Sequence, residues 1–436
     1  MRAWTALGAL CLISVALAQD SAQPPRLTLE EAVQLALQNN RQVLISERTV
    51  KKARDAVSET RSASRFQIQG TATYTRFDEV ATARFGPQPV RLGNIENRTA
   101  RIVLTQPIDI SGIIRTAVQV VSLSYQIAEL DYERTRNEII LQVTTAYQGV
   151  ARAEEFVRVA EEALKNAQER LKVIQAQVDA GVASQFDLLR ARTQVAQNEQ
   201  ALLSARNQLD LARAALNNLL GRPLETPVQV VKPERLPELE SGLDLETLIQ
   251  RAYAQRPEVR AAERGVELAQ ANIRNARRGE LPTLVLTGQA DFNLNTSPFT
   301  PRRETYTGVL VLSVPIWDGG ITRARVSQAR DDLEIAQLRL LQAREGVALE
   351  VRNAYLNLLD ARKRLEVAKQ GLEVAAEALR LARVRFEAGV SPQLEISDAE
   401  LAYTQAQTNL VNAQYDYLDA YASLMKAIGA IGGNRI

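Results

Sequence analysis

Pro315-Ile316-Trp317-Asp318-Gly319-Gly320 opens, and Arg385-Phe386-Glu387-Ala388-Gly389-Val390-Ser391 closes, the stretch that decides the fold, because the chain contains it twice. Pro107-Ile108-Asp109-Ile110-Ser111-Gly112 matches the opening, and Ala180-Gly181-Val182-Ala183 matches the Ala388–Ser391 end of the closing stretch. Both matches lie 208 residues upstream, so no gap separates the two landmarks.

A heptad seam fills the space between them. Val347, Ala354, Ala361, Ala368, Ala375 and Ala382 fall seven apart, beside Val351, Leu358, Leu365, Leu372, Leu379 and Phe386. The first copy keeps the register with Ile139, Ala146, Ala153, Ala160, Ala167 and Ile174 beside Val143, Val150, Val157, Leu164, Leu171 and Val178. After each glycine the pattern restarts, as Leu188, Val195, Leu202, Leu209, Leu216 and as Ile396, Tyr403, Leu410, Tyr417, Leu424. A strict seven-residue repeat implies left-handed supercoiling, and an alanine rail lets backbones approach closely. Each copy is therefore expected to be a long helix (113–178 and 319–387), a tight turn, and a returning helix (184–220 and 392–428). A helix over 113–178 would run about 100 Å at 1.5 Å per residue.

Outward from this repeat, the amino terminus reads as a secretory signal peptide over residues 1–18. Arg2 supplies the charge, Ala6 to Ala16 the apolar run, and Ala16-Leu17-Ala18 the small-residue cleavage site. Leu10 before Cys11 is wrong for lipid attachment, so the expectation is cleavage after Ala18 and a mature chain without cysteine.

Thr28 followed by Glu30 and Glu31 caps an amphipathic helix over 27–62, and Leu245 to Val259 repeats it at an offset of 216. The period then changes from helical to two. Phe66, Ile68, Gly70, Ala72 and Tyr74 alternate with polar residues, as do Leu284, Leu286, Gly288, Ala290 and Phe292. These predict strands over 66–77 and 283–294, partnered by 98–107 and 304–314, each pair a hairpin closed by a polar loop. Pro107 and Pro315 are expected to end the second strand of each pair. The offset falls from 216 to 208 across these hairpins, so eight residues are missing from a loop. Pro223, Pro227, Pro233 and Pro237 mark 221–243 as a linker between a first repeat, 19–220, and a second, 244–429, with a tail at 430–436.

Strands of about 9 to 12 residues cross a bilayer when tilted, but a small soluble sheet with one wet face has the same alternation. The signal peptide favours the membrane. Four strands cannot close a barrel, and an open edge in lipid leaves backbone groups unsatisfied, so several copies must share one barrel.

Composition narrows the function. The 436 residues carry a formal charge of +2, no histidine and one cysteine. No basic face is concentrated enough for nucleic acid, and imidazole, zinc and thiol chemistry are largely removed. The glycines at 319–320 and 429–433 form no phosphate loop. No enzyme, cofactor or metal is expected.

Hairpin, long helix, glycine turn and returning helix, found twice behind a signal peptide, make the chain resemble the TolC-like outer membrane efflux protein family. The resemblance runs from Leu27 to about Gly429. It implies a mainly α fold with a membrane β-barrel, in which a homotrimer forms a 12-stranded barrel and a 12-helix periplasmic tunnel. It also implies a passive duct, held in outer membrane lipid, that docks on a periplasmic adaptor protein coupled to an inner membrane transporter. The alternatives are a non-pore periplasmic coiled-coil scaffold, for which heptads suffice, and the adaptor of the same machinery. Neither needs four amphipathic strands.

Glu395 and Asp398 stand three residues apart, on one helix face just past the second turn. They match the family's acidic positions at the periplasmic mouth, where three copies would gather six carboxylates that attract cations and repel one another. Acids in a first helical turn also simply favour the helix dipole. In the first copy these positions hold Asp187 and Arg190, which can pair with each other or with a neighbouring helix. Phe386 and Ser391 stand where relatives carry a tyrosine and an arginine that latch the mouth, so that latch is expected to be absent. Gly181-Val182 and Gly389-Val390 permit left-handed turns at the tips, the expected adaptor-docking points, with Ser391 as N-cap and Pro392 as first helical residue.

Overall fold

The computed structural model describes residues 26–84, 87, 89–232, 236–237, 244–295, 302–388 and 390–431. The signal-peptide reading, Gly389 and most of the 430–436 tail lie outside them.

Four long helices dominate. α3 (Ile113–Asp179) and α7 (Ile321–Glu387) have 67 residues each, and the returning helices α4 (Gln185–Leu219) and α8 (Gln393–Ala427) have 35 each. The heptad rails are buried or half-buried in both pairs, with Val143, Val150 and Ala153 buried in α3, and Val351, Leu358 and Ala361 in α7. α4 packs on α3, α3 on α8 and α8 on α7, which makes a layer with α4 and α7 at its edges. Among the described residues no helix is long and apolar enough to cross a membrane.

The upper half of the layer is completed by four shorter helices: α1 (Leu29–Asn39), α2 (Arg41–Ser62), α5 (Leu245–Gln255) and α6 (Pro257–Arg277). Thr28 and Glu31 form a capping box at α1, as the sequence suggests. The single helix expected over 27–62 is in fact two. The chain breaks at Asn40, whose Oδ1 accepts from the Gln42 amide at 2.9 Å while Nδ2 donates to the Leu219 carbonyl at 2.9 Å. In the second copy Pro257 at the first position of α6 marks the same break.

Strands β2 (Gln67–Arg76), β5 (Glu96–Ile108), β7 (Thr283–Asn293) and β8 (Glu304–Ser313) form one antiparallel sheet in the order β2-β5-β7-β8. Register brings the apolar positions of all four strands onto one face: Ile68, Leu104, Gly288 and Gly308 form one row, and Gly70, Ile102, Ala290 and Tyr306 the next. The opposite face carries rows such as Thr71, Arg101, Asp291 and Thr305, with Arg101 Nε 2.7 Å from Asp291 Oδ1. Pro107 does not end its strand: β5 runs to Ile108 and Pro107 pairs with Val285, past the last β2 partner Thr105.

The small strands are unannounced by period. β3 (Thr82–Arg84) and β4 (Pro89–Arg91) pair within the first polar loop, and β1 (Arg26–Leu27) pairs in parallel with β6 (Gln229–Val230) in the linker. The Tyr147 hydroxyl holds that linker pair, lying 2.8 Å from the Leu27 and Val231 carbonyls and accepting from the Val231 amide.

From sheet to helix the chain turns through Gly112 (φ 69°) and Gly320 (φ 91°), a left-handed region in which a side chain is strained. Asp109 accepts from the amides of Ile114 and Arg115 at 3.1 and 3.0 Å, and Asp318 from those of Gly320 and Thr322 at 2.9 and 2.7 Å. The Thr322 side chain, followed by these amides, holds the Asp318 carboxyl down at about 2. An acid thus satisfies the free amides of each long helix.

Candidate functional site

The lower ends of the hairpins are closed by one motif. In the first, the Gly181 amide donates to Val178 O at 2.9 Å and the Val182 amide to Gln177 O at 2.8 Å, with Gly181 at φ 73°. This is a Schellman end, which uses a left-handed glycine to satisfy the last carbonyls. In the second hairpin the Val390 amide donates to Arg385 O at 3.0 Å, the bond 208 residues on. Val182 and Val390 both stand exposed at the tips.

The returning helices start differently. Ser184 and Asp187 form a capping box at α4: Ser184 Oγ lies 2.7 Å from Asp187 Oδ2 and accepts from the Asp187 amide at 3.2 Å. At α8, Pro392 is the N-cap, in extended conformation and without a side-chain bond, and Gln393 is the first helical residue. The expected Ser391 cap therefore moves one residue on, because proline takes the extended ψ of 155° that the cap position needs and leaves no side-chain acceptor.

Of the four charged site residues, Asp187 is engaged in its own cap rather than with Arg190. Glu395 reaches back to α7, with Oε1 2.8 Å from Arg385 Nη1. Arg190 and Asp398 line the same cavity of about 260 Å³ between the two hairpins. Neither forms an ion pair among the described residues; these two share a cavity, whereas Asp187 and Glu395 are engaged at their own tips.

Arg170, on α3, is the residue that the sequence reading missed. It pairs with Glu400 of α8, and its Nη1 donates to Ser397 Oγ at 2.9 Å. Its side chain is 12% exposed, and burial, helped by nearby Arg383, lowers its guanidinium to about 10, still charged at neutral pH. Higher on the same seam Arg152 Nη2 lies 3.1 Å from Asp416 and 2.9 Å from Asp419. Burial pushes the Asp419 carboxyl up to about 6, with Asp416 adding and Arg152 opposing. The two hairpins are joined by these arginine–carboxylate pairs. Phe386 packs on the small tip core of Leu379, Ala382 and Ile396.

This arrangement is a layer of two long helical hairpins with charged tips. The sequence profile described as outer membrane efflux protein matches residues 32–222 and 248–430. The chain is 28% identical over 310 residues to outer membrane protein TolC of Vibrio cholerae, covering 70% of each chain. It is 26% identical over 414 residues to the solvent efflux pump outer membrane protein SrpC of Pseudomonas putida, covering 90% of this chain and 83% of that one. The Campylobacter jejuni CmeC outer membrane channel superposes with a TM-score of 0.78 at 20% identity, over 92% of this chain and 85% of that one, a likeness of fold. With matches across both halves of the chain, the protein belongs to the outer membrane efflux protein family. It resides in the outer membrane and is an exit channel of efflux or type I secretion systems, which work with adaptors and inner membrane transporters.

Proposed function

We propose that three copies of this chain build one passive duct, with twelve strands in a membrane barrel and twelve helices in a periplasmic tunnel. The observation that carries this reading is the pair of unfinished edges. Among the described residues β2 and β8 each have one side without a ladder partner, and the α7 edge exposes Leu338, Leu349, Leu356, Val367, Val374 and Leu381. Open strand edges and apolar stripes of this length are tolerated in neither lipid nor water, so a neighbour's complementary edge must cover them.

In this reading each chain divides into a signal peptide (1–18), repeats at 19–220 and 244–429, and an equatorial linker at 221–243. The apolar sheet face meets outer membrane lipid and the polar face lines the pore. Glu395, Asp398, Asp187 and Arg190 surround the periplasmic mouth, and Gly181, Val182, Gly389 and Val390 meet the adaptor. The duct performs no chemistry; it is not an enzyme. Relatives named for solvent efflux and for alkaline protease secretion support both small molecules and polypeptides as cargo of such a duct. Native mass spectrometry of protein extracted from outer membranes in detergent tests the assembly: three copies per particle are expected, and a soluble monomer would overturn it.

A further inference from the structure

Where the strands hand over to the long helices, the exposed side chains form two tiers. The first is apolar. The alternation of the sheet continues past its ladder pairs, so that Phe66 before β2, Ile108 at the end of β5, and Val314 and Ile316 after β8 all stand exposed, Ile316 at 97%. Beside them Trp317, the one tryptophan outside residues 1–18, is 87% exposed. An indole has an apolar body and one N–H donor, which suits the boundary between hydrocarbon and headgroups far better than open water.

The second tier is charged. Residues 61–66, 108–116, 277–284 and 312–325 together hold seven arginines against three carboxylates. Two of those carboxylates, Asp109 and Asp318, are taken up by helix amides. Among the described residues none of the seven arginines forms an ion pair, and all but Arg278 are exposed. The band's surplus of four positive charges exceeds the +2 of the entire chain. Both copies carry it: Arg277 follows Arg61 by 216 residues and Arg323 follows Arg115 by 208, the two offsets of the repeat. In the proposed duct such a band encircles the wall.

Its outward side can be traced along the helices. Tyr147 of α3 holds the linker strands, and strands on the inside would fill the duct, so this face of α3 is the outer one. Two heptads above Tyr147, Glu133 pairs with Arg260 of α6, and Glu263, one turn further along α6, pairs with Arg344 of α7. Arg278 stands about five helical turns above Arg260, and Arg323 about six above Arg344, on that same face.

We propose that this band binds the anionic headgroups of phospholipids in the periplasmic leaflet and so fixes the depth at which the duct sits. Guanidinium forks take the phosphates, while Trp317, Phe66 and Ile316 meet the acyl chains just above. The partner is lipid because the apolar tier is continuous with the lipid-facing side of the sheet. It is anionic because the charge of the second tier has no countercharge in the chain. The proposal rests on the duct reading given above.

Protein extracted from outer membranes is stripped of lipid by detergent exchange and titrated with micelles carrying phosphatidylglycerol or phosphatidylethanolamine of equal chain length. Native mass spectrometry counts copies and retained lipids. Three copies are expected, with phosphatidylglycerol retained about tenfold over phosphatidylethanolamine at ~0.1 M salt and the preference lost at ~1 M, where screening acts within about 3 Å. Arg61→Gln/Arg277→Gln/Arg323→Gln should abolish the preference, since each cation at an anionic surface contributes about fivefold. Arg339→Gln/Arg352→Gln/Lys363→Gln removes the same charge about 24 Å or more further down and should keep it. In vesicles, bromines near the headgroup should quench Trp317 more than bromines at the chain ends.

Equal retention of the two lipids by the native chain, a preference that survives ~1 M salt, equal loss in the two variants, or an unquenched Trp317 each overturns the proposal. With three copies per particle any of these leaves the duct standing; one copy per particle overturns the duct as well.

Discussion

Arg385 crosses the tip of the second hairpin to Glu395, with 2.8 Å between Nη1 and Oε1. A carboxylate assigned to a repelling ring thus has a countercharge within its own chain. Both side chains are partly exposed, at 56% and 35%, so the pair contributes little stability. Arg385→Ala is expected to change unfolding free energy by less than about 1 kcal/mol. It should shift the reversal potential in a salt gradient toward the cation limit, because Glu395 is then uncompensated. An unchanged reversal potential would remove Glu395 from the ion path.

Arg170 is the opposite case, a part-buried cation whose loss leaves Glu400, among the described residues, with Arg383 at 3.9 Å as its one ion-pair partner. Arg170→Ala is expected to destabilise the helical layer by about 1.5–3 kcal/mol, the usual range for a charge-assisted bond. Thermal unfolding in detergent measures it, and Arg170→Lys should recover only part, since one ammonium replaces a two-armed fork.

Asp419 gives a pH dependence with an unusual sign. Its folded pKa, raised to about 6, exceeds the ordinary carboxylate value, so the folded protein holds the proton more tightly than the unfolded one. The resulting penalty is absent below about pH 4 and fully present above about pH 6. Allowing for solvent screening of a partly accessible group, it reaches up to about 2 kcal/mol. Stability of Asp419→Asn minus that of the native chain should therefore rise between pH 4 and pH 7 in denaturant titrations. A flat difference would contradict the burial argument.

Asp187 separates capping from gating. Its carboxylate is held by Ser184 in a capping box, so Ser184→Ala should loosen the start of α4 by about 1 kcal/mol. Hydrogen exchange over 184–190 would show this, with conductance left unchanged.

The mainly helical, TolC-like fold was legible because its signals are periodic. Alanine and leucine every seven residues mark the supercoiled hairpins, and Ile68, Gly70 and Ala72 alternate through a strand. Features carried by single side chains were harder to read. The break at Asn40 depends on one amide bridging to Leu219, and it shows in the second copy only because Pro257 stands there. Strands β1 and β6 are two residues long and depend on Tyr147, which lies over 80 residues from Val231 in sequence. Arg170 reads as one more polar residue on a helix face, and only packing against α8 reveals Glu400 as its partner. That Arg190 and Asp398 line one cavity has the same cause, since they lie on α4 and α8, which both pack on α3.

The central claim, a conducting tube with a charged periplasmic mouth, is tested most directly by single-channel recording of the detergent-extracted protein in planar bilayers. Discrete cation-preferring conductance is predicted for the native chain, with a changed conductance and weaker cation preference for Glu395→Ala/Asp398→Ala. No channel activity from a folded, membrane-extracted protein would contradict the duct, and identical traces from both proteins would contradict the mouth.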